Sequence, residues 1–258
     1  MMTTDSVDAE VVANAEARRR RRLRRRVVVL SVLLIGWASA AVVLRRPWFQ
    51  GNWGIVEPGR VYRSAQPNRD FPRLIAAHQL ASVLNLRGGS VGDSWYVAEV
   101  QAIERGGLDF YDFPMNATRR PTRRELLTLI DLFQRCRYPL LIHCKSGSDR
   151  TGLATAIYRM MMRNEGPTSA LDAFSLSYGH IPLFGTRHLH EPFYEYQAWL
   201  DTQRLTHDPE RFRAWVEHEY RSDDAPGVLR PLPVGPRQPF HTANRGTGGR
   251  STPAPAVR

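Results

Sequence analysis

Apolar segments of strand length and of helix length alternate between residues 50 and 220. Short runs rich in β-branched and aromatic residues predict strands, and longer segments with apolar residues three and four positions apart predict helices. The predicted strands are Arg60–Arg63, Ser82–Leu86, Asp109–Phe113 and Pro139–His143. The predicted helices are Phe71–Gln79, Trp95–Arg105, Thr122–Arg135, Thr151–Arg163, Pro167–Leu176, His190–Gln203 and Pro209–Tyr220. This alternation predicts an α/β domain with a mainly parallel central sheet of about four to five strands, flanked by helices.

The residues before this domain follow a different pattern. Residues 1–26 are polar and end in Arg18–Arg26, which predicts a disordered cytoplasmic segment. Residues 27–44 carry no charge, and at about 1.5 Å per residue they span roughly 27 Å, which predicts a single transmembrane anchor. The arginine cluster should stay in the cytoplasm, so the domain should be exported to the periplasm or outside the cell. The alternative is a cleaved signal peptide with its cleavage site at Ala38–Ala40.

The formal net charge of +11 is unevenly distributed. Residues 1–46 carry +6, residues 221–258 carry +4, and residues 47–220 carry only +1. The positive charge therefore belongs to a membrane flank and a tail, and we expect no nucleic-acid partner. The tail, 221–258, is rich in Pro, Gly and Arg and is predicted to be disordered.

The two cysteines, Cys136 and Cys144, lie on either side of a predicted strand. Five extended residues span roughly 16 Å, which is far beyond the reach of a disulfide. Two cysteines without histidines at ligand spacing do not make a zinc site. We expect no intramolecular disulfide, no metal and no cofactor.

One short stretch carries the candidate chemistry. His143 and Cys144 follow a predicted strand, Arg150 comes after five intervening residues, and Thr151 and Gly152 begin a predicted helix. A loop between a strand and a helix N-terminus presents backbone N–H groups to an anion and stabilises a thiolate. An arginine can bind two phosphoryl oxygens at once. The pattern predicts Cys144 as a nucleophile and a phosphate site formed by Lys145, Ser146, Gly147, Ser148, Asp149 and Arg150.

The stretch His143–Gly152 resembles the phosphate-binding loop of cysteine-based phosphatases of the tyrosine and dual-specificity type. Tyr62–Pro67 and Val83–Arg87 resemble the first strands of the atypical, dual-specificity-like branch. The resemblance covers about residues 55–205 and implies a phosphatase domain within 50–220. It also implies a phosphocysteine intermediate formed without metal, in which Thr151 donates a hydrogen bond to the leaving sulfur and His143 orients the cysteine backbone.

The general acid departs from the common pattern of this family, which places an aspartate about 30 residues before the cysteine. Asp112 lies 32 residues before Cys144. If Phe113 to Met115 are matched to the family's strand end instead, the acid position falls on Asn116 or Ala117, and neither side chain can transfer the proton.

Asp149 competes with Asp112 for the acid role. An aspartate directly before the loop arginine also occurs in myotubularin-like lipid phosphatases, where it is the proposed acid. Asp149 is slightly favoured here. Its alternative role is a helix N-cap, or an ion pair with Arg63 or Arg87.

The resemblance implies phosphotyrosine on proteins as the substrate. Lys145 is the only lysine among 36 basic residues, and with Asp149 and the predicted anchor it favours a phosphoinositide or another lipid or inositol phosphate. A third reading is a catalytically weak, phosphate-binding pseudophosphatase. His180 is expected to be a satisfied structural histidine. Four arginines are expected to lie at a solvated helix start rather than at the mouth of the site. They are Arg119, Arg120, Arg123 and Arg124.

Overall fold

The computed structural model describes residues 4–49, 51–183, 185–221, 231–232 and 234–236, with side chains from residue 18 onward except those of 40 and 42–49. Five strands lie in this part of the chain. They are β1 Gly54–Glu57, β2 Val61–Ser64, β3 Ser82–Asn85, β4 Asp109–Asp112 and β5 Leu140–His143. The tail predicted over 221–258 lies almost entirely outside the described residues.

The strands form one sheet in the order β1-β2-β5-β3-β4. Strands β2, β5, β3 and β4 are mutually parallel, whereas β1 pairs with β2 in the antiparallel direction. The predicted α/β class with a mainly parallel sheet is confirmed, and β1 makes the sheet mixed. The sequence analysis missed β1 because it is only four residues long and lies at the sheet edge.

Eight helices occur in the described chain. They are α1 Thr4–Phe49, α2 Phe71–His78, α3 Ser94–Gly106, α4 Arg123–Arg135, α5 Asp149–Arg163, α6 Pro167–Ala170, α7 Glu191–Gln203 and α8 Pro209–His218. All but one of the helices predicted between residues 50 and 220 agree with these bounds to within two residues. The exception is Pro167–Leu176, where α6 continues into a 3-10 turn at Leu171–Ala173 and the helix ends because Phe174 leaves the helical conformation.

Helix α1 includes residues 4–26, where the sequence analysis expects disorder. This segment contains no Gly or Pro, and its many Ala, Arg and Glu residues have high helix propensity. No helix among the described residues is both long enough and apolar enough to cross a membrane. Within the uncharged run 27–44, the structure describes the side chains of residues 27–39 and 41.

The central strand β5 is buried on both faces, as expected for the middle of a parallel sheet. Leu140 and Ile142 face the larger core, which is built with α4, α5, α7 and α8. Leu141 faces the smaller core, which is built with α2 and α3. Because β5 packs against a core on each face, the position of its carboxyl end is fixed. The loop that follows therefore starts from a rigid position.

Candidate active site

The loop at the carboxyl end of β5 holds the predicted nucleophile. Cys144 follows directly after β5 and is 1% exposed. Its Sγ accepts a hydrogen bond from the backbone N–H of Gly147 at 3.2 Å. Helix α5 begins at Asp149, so its N-terminus, with its unpaired N–H groups, adjoins the sulfur and forms an anion-binding end.

Gly147 is required at the centre of this loop. Its φ is +73°, which is the left-handed region that side chains disfavour. A Cβ at this position would lie 2.6 Å from the backbone carbon of Ser64 and the nitrogen of Ala65. The loop therefore packs directly against the end of β2, and no other residue fits there without moving the backbone.

A buried arginine on β2 orients the loop. Arg63 is 2% exposed and donates to the carbonyl oxygens of Gly147 at 2.8 Å and Ser148 at 3.5 Å. It also donates to Ala173 O at 2.7 Å. In a planar trans peptide the N–H points opposite to the carbonyl. The N–H groups of Ser148 and Asp149, which follow these two carbonyls, therefore point away from Arg63 and toward the helix N-terminus. The sequence analysis considered Arg63 only as a partner of Asp149 and missed this role.

His143 belongs to a polar network on the other face of the sheet. Its Nε2 lies 2.6 Å from Oε1 of Glu99, and both side chains are fully buried. Gln66 donates to Glu99 Oε2 at 2.6 Å and accepts from Arg87 at 3.2 Å. The guanidinium of Arg87 lies 3.4 Å from the centre of the Trp95 ring. Glu99 was missed because it comes from α3, far away in sequence.

Arg150 is anchored through one of its nitrogens. Its Nη1 donates to Leu86 O at 3.1 Å and Met115 O at 3.3 Å. Its Nε is buried and has no hydrogen-bond partner among the described residues. An unpaired buried donor costs free energy, and here it leaves part of the guanidinium fork available for a phosphoryl oxygen.

The remaining loop residues lie where the sequence analysis placed them. The Thr151 hydroxyl is buried and unpartnered within the described structure. The hydroxyl oxygens of Ser146 and Ser148 are 3.0 Å apart, and Ser146 O accepts from the Asn52 side chain at 2.8 Å. Lys145 is exposed.

The structure separates the two candidate acids. Asp112 accepts from the hydroxyl of Tyr96 on α3 at 2.6 Å. It is in register with Asn85, which is in register with His143, so Asp112 lies two strands from β5, roughly 10 Å at about 4.8 Å per strand. Residues in register share a face of the sheet, and this face is the one covered by α3. Asp112 is therefore directed into the network around α3 rather than toward the loop.

Asp149 lies at the loop itself. It is the first residue of α5, and its side chain is 22% exposed. Its Oδ1 lies 2.7 Å from Nδ1 of His180. It is not the N-cap, which is Ser148. The sequence analysis did not predict the contact with His180.

The other positions considered for the acid and for the substrate mouth are engaged elsewhere. Asn116 is exposed, and its Oδ1 accepts from the backbone N–H groups of Thr118 and Arg119. Arg119 forms an ion pair with Glu125 at 2.6 Å. Arg120 forms an ion pair with Glu195, and Arg123 donates to the carbonyl oxygen of Tyr220.

A family model described as "DSP-PTPase phosphatase fused to NAD+ Kinase" matches residues 53–181, which is half of the 258-residue chain. The chain belongs to this family. It is a cysteine-based phosphatase of the tyrosine and dual-specificity type. The matched residues include the whole loop from Cys144 to Thr151 and both candidate aspartates. No curated protein sequence matches the phosphatase significantly.

Several solved structures are similar to this phosphatase. TpbA of P. aeruginosa is 21% identical, with 64% of this chain and 95% of that chain covered and a TM-score of 0.45. The catalytic core of Siw14 of S. cerevisiae, described as a PP-IP phosphatase, is 20% identical, with coverages of 59% and 93% and a TM-score of 0.46. PTPMT1, solved in complex with PI(5)P, is 18% identical, with coverages of 57% and 97% and a TM-score of 0.41.

Proposed function

We propose that this phosphatase hydrolyses phosphomonoesters through a phosphocysteine at Cys144 and acts on phosphotyrosine-type protein substrates. The observation that carries the proposal is the placement of the sulfur. Sγ lies at a helix N-terminus, accepts from the Gly147 N–H, and shares its loop with an arginine whose Nε is unpaired among the described residues. Preorganised donors of this kind stabilise the charge that develops on a transferring phosphoryl group.

The proposed reaction has two steps. In the first, the Cys144 sulfur forms a bond to phosphorus while the bond between phosphorus and the ester oxygen breaks, and the leaving oxygen takes a proton from Asp149. In the second, water bonds to phosphorus, the sulfur–phosphorus bond breaks, and Asp149 takes a proton from the water. Thr151 hydroxyl donates to the sulfur as it leaves. Asp149 is chosen over Asp112 because only Asp149 lies on the loop.

The assignment of the acid is tested by comparing two aspartate variants. Asp149→Asn is expected to lower kcat/KM, which reports the first step, by more than about tenfold for phenyl phosphate and to leave kcat/KM for 4-nitrophenyl phosphate nearly unchanged, because a good leaving group needs little protonation. Asp112→Asn is the matched control and should lower both rates equally and by little. If Asp112→Asn instead shows the selective loss on phenyl phosphate, the acid is Asp112. Equal, small losses for Asp149→Asn on both esters would remove Asp149 from the mechanism.

A second candidate substrate class is favoured by Lys145. This residue is exposed, and its ammonium has no ion pair or hydrogen bond within the described structure. It is therefore available to a second anionic group, as found on phosphorylated inositols and lipid head groups. The sequence alone, with its arginine cluster and its uncharged run over 27–44, supports the further proposal that the domain is exported and acts at a membrane.

The two substrate classes are separated by replacing Lys145. Lys145→Met is expected to raise KM for an inositol bisphosphate by roughly tenfold, which corresponds to the loss of one charge-assisted contact. KM for a phosphotyrosine peptide of neutral sequence should change by less than about twofold, and Lys145→Arg should restore part of the loss. The measurement is a pair of steady-state titrations for each variant. Equal changes for both substrates would exclude Lys145 from substrate choice.

A further inference from the structure

A buried imidazole contacts the proposed acid. Nδ1 of His180 lies 2.7 Å from Oδ1 of Asp149. The His180 side chain is 2% exposed, whereas the Asp149 side chain is 22% exposed. One carboxylate oxygen of Asp149 is therefore held from inside the protein, while the carboxylate remains partly open to solvent.

The ring of His180 is fixed by its neighbours. It packs against both Phe174 and His190, with ring centres 4.9 Å away in both cases. The rings of Phe174 and His190 are themselves 4.2 Å apart. On the backbone, Gly179 with φ +74° ends the preceding turn, and the N–H of His180 donates to Ser175 O at 3.1 Å. The imidazole is thus held in one orientation toward Asp149.

The surroundings also determine which nitrogen carries the proton. Nε2 of His180 is buried and has no hydrogen-bond partner in the part of the chain described. A proton there would be an unsatisfied buried donor, which costs more than an unused lone pair beside aromatic rings. The neutral ring therefore keeps its proton on Nδ1 and donates it to Asp149. Burial and the neighbouring His180 lower the pKa of His190 to about 4, so His190 is neutral near pH 7.

We propose that His180 is a positioning residue for the general acid. Its Nδ1–H holds Oδ1 of Asp149, and this leaves Oδ2 to give a proton to the leaving oxygen and to take one from water. His180 itself exchanges no proton in either step. A fixed carboxylate has fewer orientations to lose when the transition state forms, and a misplacement of about 1 Å can cost up to 100-fold in rate. The inference rests on the proposed acid role of Asp149.

Two replacements of His180 separate positioning from packing. His180→Phe keeps an aromatic ring against Phe174 and His190 but has no donor. His180→Asn loses the ring but keeps an N–H near the place of Nδ1. We expect His180→Phe to lower kcat/KM for phenyl phosphate by roughly tenfold or more and to leave kcat/KM for 4-nitrophenyl phosphate nearly unchanged. His180→Asn should recover most of the loss on phenyl phosphate.

Asp149→Asn and the double variant Asp149→Asn/His180→Phe test whether His180 acts through Asp149. Since His180 acts through Asp149, the double variant should lose no more than Asp149→Asn alone. His190→Phe is the matched control, because it keeps an aromatic ring in the cluster and no hydrogen bond joins His190 to Asp149 among the described residues, and it should behave like the unmodified enzyme.

Three outcomes would overturn the inference. They are equal losses on both esters for His180→Phe, a larger loss for His180→Asn than for His180→Phe, and additive losses in the double variant. The first two would mean that the ring serves packing alone. A normal rate ratio between the two esters in Asp149→Asn would be a failure of the proposed acid itself, and this result is read from the single variant independently of His180.

Discussion

Replacing Cys144 by serine is expected to lower turnover of 4-nitrophenyl phosphate by a factor on the order of 10⁴ or more. A serine hydroxyl is a weak nucleophile near neutral pH unless a base activates it. The nearest histidine in sequence, His143, has its Nε2 against Glu99 on the other face of the sheet. The loss should therefore be close to complete. Steady-state assays at high enzyme concentration measure it.

Cys136→Ser is the control for this loss. Cys136 lies at the end of α4, where burial raises the pKa of its thiol, and it should be inert at neutral pH. Activity of Cys136→Ser within about twofold of the unmodified enzyme would fit this position. Substantial turnover by Cys144→Ser would contradict the account, and so would a Cys136→Ser variant as inactive as Cys144→Ser.

Arg150→Lys is expected to lower kcat by about 10² to 10³, in the range found for removal of one transition-state donor. The guanidinium is held by Leu86 O and Met115 O, with its Nε left unpaired in the described structure. A lysine ammonium cannot keep this anchor and also bind two phosphoryl oxygens in a fixed fork. KM should change less than kcat, because the fork binds the transition state better than the ground state.

Arg137→Lys is the matched control for this substitution. Arg137 is an exposed arginine paired with Asp109 at 2.8 Å, and a surface ion pair of this kind contributes little to stability. Arg137→Lys should leave kcat unchanged. An Arg150→Lys variant with less than about a threefold loss would show that the fork is not required for catalysis.

The loop that carries the proposed chemistry could be located from sequence because its residues are contiguous. His143 to Gly152 include the proposed nucleophile and the arginine, and a strand and a helix enclose them, as predicted. Local patterns of apolar and polar residues likewise predicted the four parallel strands and most of the helices. The edge strand β1 was missed because a four-residue run carries too little periodicity to distinguish it from a loop.

The supports of the loop could not be predicted, because they come from distant parts of the chain. Arg63 reaches the loop carbonyls from β2, 84 residues away. Glu99 reaches His143 from α3, and His180 reaches Asp149 across 31 residues. The first two contacts depend on the strand order, which places β5 between β2 and β3. The choice between Asp149 and Asp112 likewise depends on the sheet face that Asp112 occupies and on the place of Asp149 at the start of α5, and spacing alone does not give these.

The covalent intermediate is the central claim, and rapid-quench analysis of the enzyme with 4-nitrophenyl phosphate tests it most directly. Mixing should release a burst of nitrophenolate equal to the enzyme concentration, provided that hydrolysis of the intermediate is slow. Mass spectrometry of the protein denatured at alkaline pH, where a phosphorus–sulfur bond persists, should find phosphate on the peptide that contains Cys144. Asp149→Asn should accumulate more of this species, because its second step lacks a base. Turnover with no phosphoenzyme in either protein, or with phosphate on another residue, would contradict the account.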